Sequence, residues 1–443
     1  MQGLYEDFNK RMHHQLGGEA SSLIASLQGP SPISIRIHPE KGNGLFRDAT
    51  KVSWCSHGRY LKDRPVFTLD PLFHAGCYYV QEAGSMLIES ILRDVIDELK
   101  TSNVLDLCAA PGGKSTHLIS LLSKDCNIIC NEIIPGRNKI LRHNLAKWGY
   151  SNNIVTQNEA KDIAASTVLF DLIVVDAPCS GEGLFRKDPE AIREWSPEQV
   201  DVCATRQTKI LEDIIPALKP GGYLLYSTCT YEPSENDQQI ERLLLHHPFI
   251  NITPPAPEGI VATTHGWQSF PHKVAAEGFY CCLLQYKGTG NKKQNIEQNF
   301  KTDRSFNKSL WLKEPDNFEV FQQEEYLNAA TPAIISLTKA LAKKCYIRQS
   351  GLPLGQTKGN DFIPAPELAM SLQLKSDTPG CSLPLKEALH FLRGDAIIAA
   401  SEIEGWHLIH FEGHALGWAK KIRQRWNNYY PKDWRIRMAI PEK

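Results

Sequence analysis

The order of elements along the chain predicts an α/β protein built on a doubly wound, mostly parallel sheet. Three observations carry that prediction. A short apolar run ending in an acid, Val104-Leu105-Asp106-Leu107-Cys108, is followed by a Pro-Gly-Gly turn and an apolar-periodic helix. From Val104 onward, strand-like and helix-like segments alternate, the pattern of successive βαβ units. Two more strand-like runs end in a carboxylate, at Glu132 and Asp176. Open sheets of this kind bind ligands at the carboxyl ends of their central strands.

Taken in order, residues 1–75 read as a small N-terminal α/β domain. A polar helix from Leu4 to Leu16 leads to the strand Ile33-Ser34-Ile35-Arg36-Ile37, whose alternation puts the isoleucines on one face and Arg36 on the other. A helix from Met86 to Leu99 introduces the main domain, residues 76–287. Its strands are expected at 103–108, 127–132, 153–156, 171–176 and 222–227, with helices at 136–148, 203–218 and 234–246. A last apolar strand, Gly278 to Gln285, closes the sheet. Residues 288–308, rich in Gly, Asn, Lys and Gln, read as a linker. Beyond them, 309–443 form a second α/β region.

Composition limits the function classes. The 49 basic and 50 acidic residues nearly cancel, so a nucleic-acid partner has to be met by a local patch. The start, Met1 to Phe8, lacks the basic and apolar regions of a signal peptide. No apolar run reaches the roughly 18 residues that span a bilayer, so no membrane partner is expected. The twelve cysteines include no Cys-x-x-Cys pair, and no metal is expected. Several, such as Cys126, Cys130, Cys281 and Cys282, sit in apolar runs, as reduced thiols of a cytoplasmic protein do. Nothing calls for more than a monomer.

The glycine turn narrows the ligand. Gly113-Lys114-Ser115 imitates a phosphate loop, but that motif needs glycine where the chain has Cys108, and the Gly-x-Gly-x-x-Gly fingerprint is absent. What remains is a cradle for an uncharged adenosyl ligand such as S-adenosylmethionine. Its glycines admit close backbone approach, and its helix N-terminus offers unpaired N–H groups. Glu132 is placed to accept from ribose hydroxyls, and Glu159, after the third strand, to hold the adenine amino group.

Two cysteines end neighbouring strands: Cys179 in Asp176-Ala177-Pro178-Cys179 and Cys229 in Ser227-Thr228-Cys229. Thiols beside a methyl donor suit methylation of cytosine at C5, a poor nucleophile. A thiolate adding at C6 makes C5 enamine-like, splitting one hard step into two easier ones. Asp176 can bind the ring N3 and exocyclic amine, and Lys114 can orient the base or lower a thiol pKa. A second thiol can assist the final elimination. Residue chemistry alone leaves open which thiol attacks.

The motifs Asp106-Leu107-Cys108-Ala109-Ala110-Pro111-Gly112-Gly113-Lys114-Ser115, Asp176-Ala177-Pro178-Cys179-Ser180-Gly181-Glu182-Gly183 and Ser227-Thr228-Cys229-Thr230 resemble the signatures of the Sun/nucleolar-protein family of RNA cytosine-C5 methyltransferases. Residues 73 to 86 and Trp267 to His272 extend the likeness over 30–287. The resemblance implies a class I S-adenosylmethionine-dependent methyltransferase domain, Cys229 as nucleophile and Cys179 as the residue assisting release. It puts the cofactor contacts on Cys108, Ala109, Ala110, Pro111, Gly112, Gly113, Lys114, Glu132, Glu159 and Asp176. The family commonly has Asp where this chain has the longer Glu159.

The stretch Gly413 to Arg437 is similar to the tail of bacterial ribosomal small-subunit methyltransferase F proteins, where it belongs to a PUA-like RNA-binding domain. It interleaves cations and aromatics against a single acid, Asp433. Cations can meet phosphates and aromatics can stack on bases, or the tryptophans can fill a small core. The implied substrate is a cytidine of small-subunit (16S) ribosomal RNA rather than DNA; the alternatives are the same chemistry on transfer RNA, or a non-catalytic RNA-binding ribosome-assembly factor. On this reading the N-terminal domain also contacts RNA, and Arg36 is either such a contact or a solvated strand residue.

Overall fold

The computed structural model describes residues 2–289, 302–359, 361–397, 399 and 401–440, so most of the expected linker 288–308 lies outside the described residues. Two helices, α1 (Gln2–Leu16) and α2 (Ala20–Ser26), open the chain. Next comes a three-stranded antiparallel sheet with β1 (Ile33–Ile37) between β2 (Gly58–Leu61) and β3 (Tyr78–Val80); the short α3 (Pro71–His74) precedes β3. Ile35 and Ile37 share one core, as their alternation predicts. Arg36, expected to face solvent or RNA, is 1% exposed. It donates to Gln81 Oε1 at 2.8 Å and Thr116 Oγ1 at 2.6 Å, and lies 4.5 Å from the Trp148 ring centroid. The second face of this small sheet is covered, so the outward side of the strand is another interior.

The central sheet has ten strands among the described residues. Five are parallel, in the order β8-β7-β4-β5-β6: β4 (Asn103–Asp106), β5 (Asn127–Asn131), β6 (Asn153–Thr156), β7 (Phe170–Asp176) and β8 (Leu218–Thr228). Period-two alternation sorts their side chains into two cores. Val104, Ile128, Val174 and Leu225 enter one; Leu105, Ile129, Ile173 and Leu224 enter the other. Beyond β8 the sheet turns antiparallel through β9 (Phe249–Asn251), β10 (Val261–Ala262), β11 (Trp267–Ser269) and β12 (Phe279–Tyr286). The strand expected to close the sheet, β12, instead sits inside it, pairing with β8 and carrying β9 and β11.

Helices cover both faces: α4 (Leu87–Leu92), α5 (Gly113–Leu121), α6 (Pro135–Trp148), α7 (Ala160–Ala164), α8 (Pro189–Glu194), α9 (Pro197–Ile214) and α10 (Asp237–His246). The helix expected over 86–99 is α-helical only across α4, and Arg93–Leu99 tighten into 3-10 turns. Local chemistry sets the other ends. Pro135 opens α6 and Gly149, at φ +84°, closes it. Ser196 caps α9, its Oγ accepting from the Gln199 N–H at 3.1 Å.

The C-terminal region does not stand apart from this sheet. It contains β13 (Glu319–Gln323), β14 (Tyr326–Ala330), α11 (Pro332–Leu341), β15 (Ile347–Ser350), β16 (Leu352–Lys358), β17 (Asp361–Pro364) and α12 (Pro366–Met370). Strands β13, β14, β16 and β17 form their own sheet, but β15 pairs antiparallel with β6 and extends the central one. Ile334, Ile335 and Leu341 of α11 join the core that holds Leu105. The last sheet is β18 (Gly380–Ser382), β19 (Gly405–Phe411), β20 (His414–Ile422) and β21 (Arg425–Asn428), with α13 (Leu385–Arg393) against it. Trp418, Trp426 and Tyr430 are buried there, while Arg423, Arg425, Lys432 and Arg437 are exposed. Lys41 ties three regions together: its ammonium donates to the carbonyls of Ala75 (3.4 Å), Lys147 (2.6 Å) and Met370 (2.7 Å). No described helix is long and apolar enough to cross a membrane.

Candidate active site

The site lies at the carboxyl ends of β4, β5, β7 and β8. At the end of β4 the chain turns through Ala109, Ala110, Pro111 and Gly112 into α5, with a cis Ala110-Pro111 bond and φ +110° at Gly112. That angle favours glycine, and an added Cβ would also meet Leu141 at 3.2 Å. The turn is held from α6, where Arg137 donates to the Ala110 carbonyl and Asn144 to that of Pro111, each at 2.8 Å.

Two cavities border the turn, and Cys108 lines both. The larger, about 650 Å³, has Glu132, Ile133, Ile134, Glu159 and Pro178 on its wall. Glu132 is buried, with Oε1 accepting from the Ile134 N–H at 2.9 Å and Oε2 3.6 Å from Arg137. Glu159 reaches the same cavity but is exposed, and its carboxylate pairs with Lys161 at 2.7 Å. That pairing lowers its pKa. The smaller cavity, about 180 Å³, is lined by Ala109, Ala110, Pro111, Gly113, Lys114 and Asp176.

Both oxygens of Asp176 are engaged. Lys114 Nζ lies 2.7 Å from Oδ2, and Ser227 Oγ donates to Oδ1 at 2.8 Å. Burial opposes the charge on Lys114, but Asp176 more than offsets it and raises the lysine pKa; Asp106 and Cys229 act in the same sense.

The parallel register of β7 and β8 sets Asp176 beside Ser227, so the loops carrying Cys179 and Cys229 leave the sheet side by side. Their sulfurs are 3.1 Å apart, and the Cys229 N–H points at the Cys179 sulfur, 3.3 Å away. Both residues are half-buried, and neither lines the two cavities, which stop at Asp176 and Pro178. The hydrogen bond to Cys229, followed by burial, raises the Cys179 pKa well above the ordinary thiol range.

A polar layer fixes the loop behind the thiols. Glu235 accepts from the Ser180 N–H (3.0 Å) and from Gln207 (2.7 Å), and the Ser180 and Thr230 hydroxyls are 2.9 Å apart. Gly183 donates its N–H to the Cys229 carbonyl at 2.8 Å; a Cβ there would fall 2.3 Å from the Gly278 oxygen, so only glycine fits. From the N-terminal helix, Arg11 lies 2.6 Å from Glu182, which also accepts from Trp195 at 2.8 Å.

Comparison with known proteins places this arrangement. The chain is 30% identical over 456 residues to a ribosomal RNA small subunit methyltransferase F from Salmonella arizonae, an alignment covering 93% of this chain and 92% of the other. The chain belongs to the ribosomal RNA small subunit methyltransferase F family. A protein of the same description from Escherichia coli O139:H28 is 29% identical over 445 residues, with the same coverage. The sequence pattern of 16S rRNA methyltransferase RsmB/F matches residues 94–285, that of the RsmF N-terminal domain 4–83, and that of the RsmF PUA domain 381–436. A methyltransferase homologue from Pyrococcus horikoshii superposes with a TM-score of 0.55 at 27% identity, over 62% of this chain and 93% of that one.

Within this methyltransferase F chain, sequence reasoning missed part of the site. Tyr79, Gln81, Glu82 and Ser85 line the smaller cavity from β3 and the turn that follows it. Arg206, Lys209 and Asp213 line the larger from α9. The first group falls in the stretch 73–86 that resembles the family, which was a usable signal. The second sits on an amphipathic helix whose polar face carries no motif.

Proposed function

We propose that the protein transfers a methyl group from S-adenosylmethionine to C5 of a cytidine in small-subunit ribosomal RNA, through a covalent bond between Cys229 and C6. The single observation that carries this reading is the 3.1 Å approach of two sulfurs beside the Lys114–Asp176 pair. The residues present fit the donor. Glu132 is a buried acceptor on the wall of the larger cavity, and the turn from Cys108 to Lys114 would hold the methionine end. When bound, the donor supplies an electrophilic methyl group on a sulfonium.

The rest is done by this chain's residues. Lys114, paired with Asp176, places positive charge near Cys229. Cys229 is the attacking residue by the family resemblance, and Cys179, whose sulfur lies 3.1 Å away, is the neighbour that assists release. Addition forms the sulfur–C6 bond, turns the C5–C6 π pair into a C4–C5 double bond and puts the C4–N3 π pair on N3. Asp176 accepts from the exocyclic amine, and the Lys114 ammonium paired with it offsets the negative charge that develops. After C5 takes the methyl group, a base removes its proton. The released pair restores the double bond and expels Cys229, a step the Cys179 thiol assists by general acid–base action. The target base leaves its stack to reach the site, and Arg423, Arg425, Lys432 and Arg437 are exposed cations available to RNA phosphates.

Label transfer from the methyl donor to small-subunit RNA tests this. Cys229→Ala is expected to lose at least about 100-fold in rate. Cys179→Ala is expected to accumulate a protein–RNA adduct that survives denaturing electrophoresis. Full turnover by Cys229→Ala would falsify the mechanism, and so would a Cys179→Ala enzyme that is inactive without any adduct.

A further inference from the structure

A second cluster of reactive side chains lies away from the thiol pair, where three segments meet. Cys55 comes from the loop between β1 and β2, Glu89 from α4 and His117 from α5, one turn after Lys114. Their donor atoms all lie within 4.8 Å of one another. His117 Nε2 is 3.0 Å from Glu89 Oε2 and 3.8 Å from Cys55 Sγ. Cys55 and His117 are buried, at 3% and 2% exposure.

Cys55 also hydrogen-bonds Glu89, so the three groups form a closed triangle rather than a linear relay. In a relay the carboxylate takes one ring nitrogen and the thiol takes the other. Here both face Nε2, which holds one proton or one lone pair, while the buried Nδ1 has no hydrogen-bond partner among the described residues. Convergence of sulfur, imidazole and carboxylate on one point is the arrangement of a metal site. In tetrahedral zinc coordination, metal–sulfur and metal–nitrogen bonds of about 2.3 and 2.0 Å put the two ligand atoms about 3.5 Å apart. The observed sulfur–nitrogen spacing is 3.8 Å. The nitrogen–oxygen spacing is 3.0 Å where bonds of about 2.0 Å would give about 3.3 Å, so both need shifts of a few tenths of an ångström. The second oxygen of Glu89, Oε1, accepts from the Ser56 N–H at 2.9 Å, which orients the carboxylate and leaves Oε2 on the cluster. Arg36, a nearby buried cation, is already committed to Gln81 and Thr116.

We infer that Cys55, Glu89 and His117 form a three-ligand site for a divalent transition metal of the zinc class. Binding forms a sulfur–metal bond, breaks the Cys55 S–H bond and sends its proton to solvent. One thiolate and one carboxylate then neutralise the dication, so the buried centre carries no net charge. Three protein donors leave the fourth tetrahedral position open. Because the ligands come from the N-terminal loop, α4 and α5, the ion would clamp that loop against the helix whose first turn carries Lys114.

The test uses full-length, untagged protein loaded with Zn²⁺ and desalted. One zinc per chain is expected by elemental analysis, and Cys55→Ser and His117→Gln are expected to lose it while keeping the wild-type circular dichroism. Co²⁺ loading is expected to produce a thiolate-to-metal charge-transfer band that persists in Cys229→Ser and vanishes in Cys55→Ser. X-ray absorption at the zinc edge of wild type, which needs no variant to fold, is expected to find one sulfur ligand among nitrogen and oxygen. Protein that holds no metal after loading overturns the inference. So does a shell with two sulfurs or none, or a cobalt band that survives Cys55→Ser.

Discussion

Asp106 illustrates how the cradle strains its own components. The carboxyl is fully buried; one oxygen accepts from Ser115 Oγ at 2.6 Å and the other has no hydrogen-bond partner among the described residues. Burial raises its pKa from an ordinary 3.8 to about 7. In the unfolded chain it ionises at the lower value. Its contribution to stability is therefore greatest in acid, declines as pH rises through that interval, and levels off above it. Asp106→Asn is expected to remove this slope, gaining on wild type by up to about 4 kcal/mol between pH 4 and pH 8. Urea unfolding of both proteins without methyl donor measures it, and a difference that stays flat with pH would place an ionised carboxylate in the fold. At this scale the sequence was informative where a residue ends a strand. Cys179 and Cys229 meet because neighbouring strands end together. Glu159 also ends where expected, on the cavity wall, but Lys161, two residues on, takes its carboxylate. Nothing in a strand-end pattern reveals a rival partner.

Among the elements, β1 and α5 define the limit of periodicity. Alternation correctly separates Ile35 and Ile37 from Arg36, yet it is silent on what covers the second face. That cover is Thr116 of α5, with Trp148 of α6 and Gln81, all distant in the chain. Arg36 stays charged there, its pKa lowered by burial only to about 10. Arg36→Met, which fills the space but strands the two acceptors, is expected to cost about 2–4 kcal/mol. Thermal unfolding would read that as a clear loss of Tm, whereas an unchanged midpoint would mean that the side chain can leave the interior. The segment 86–99 shows a related limit. Its apolar spacing suits a single helix, but the chain tightens after Leu92, a change no residue there announces.

For the whole molecule, the parallel strands were legible because each βα unit is local, with an apolar run, a turn and a capped helix close together in sequence. The attachment of the C-terminal region was not. Strand β15 is the short, half-polar run Ile347-Arg348-Gln349-Ser350, and only the open edge of β6 gives it a place. It follows that residues 1–287 are not a self-sufficient unit. A fragment ending there would expose that edge and the core side chains that Ile334 and Leu341 cover. It is expected to melt below the full chain and to self-associate on size-exclusion chromatography. A monomeric fragment with the full-length Tm would contradict this.

The same pairing has a consequence for how the protein is made. The strand at 153–156 leaves the ribosome long before its neighbour at 347–350 has been translated. Through that interval the nascent polypeptide carries a half-finished border. The enzyme's own birth thus includes a window in which shielding by a nascent-chain chaperone would matter most, and slow codons between the two strands would lengthen it.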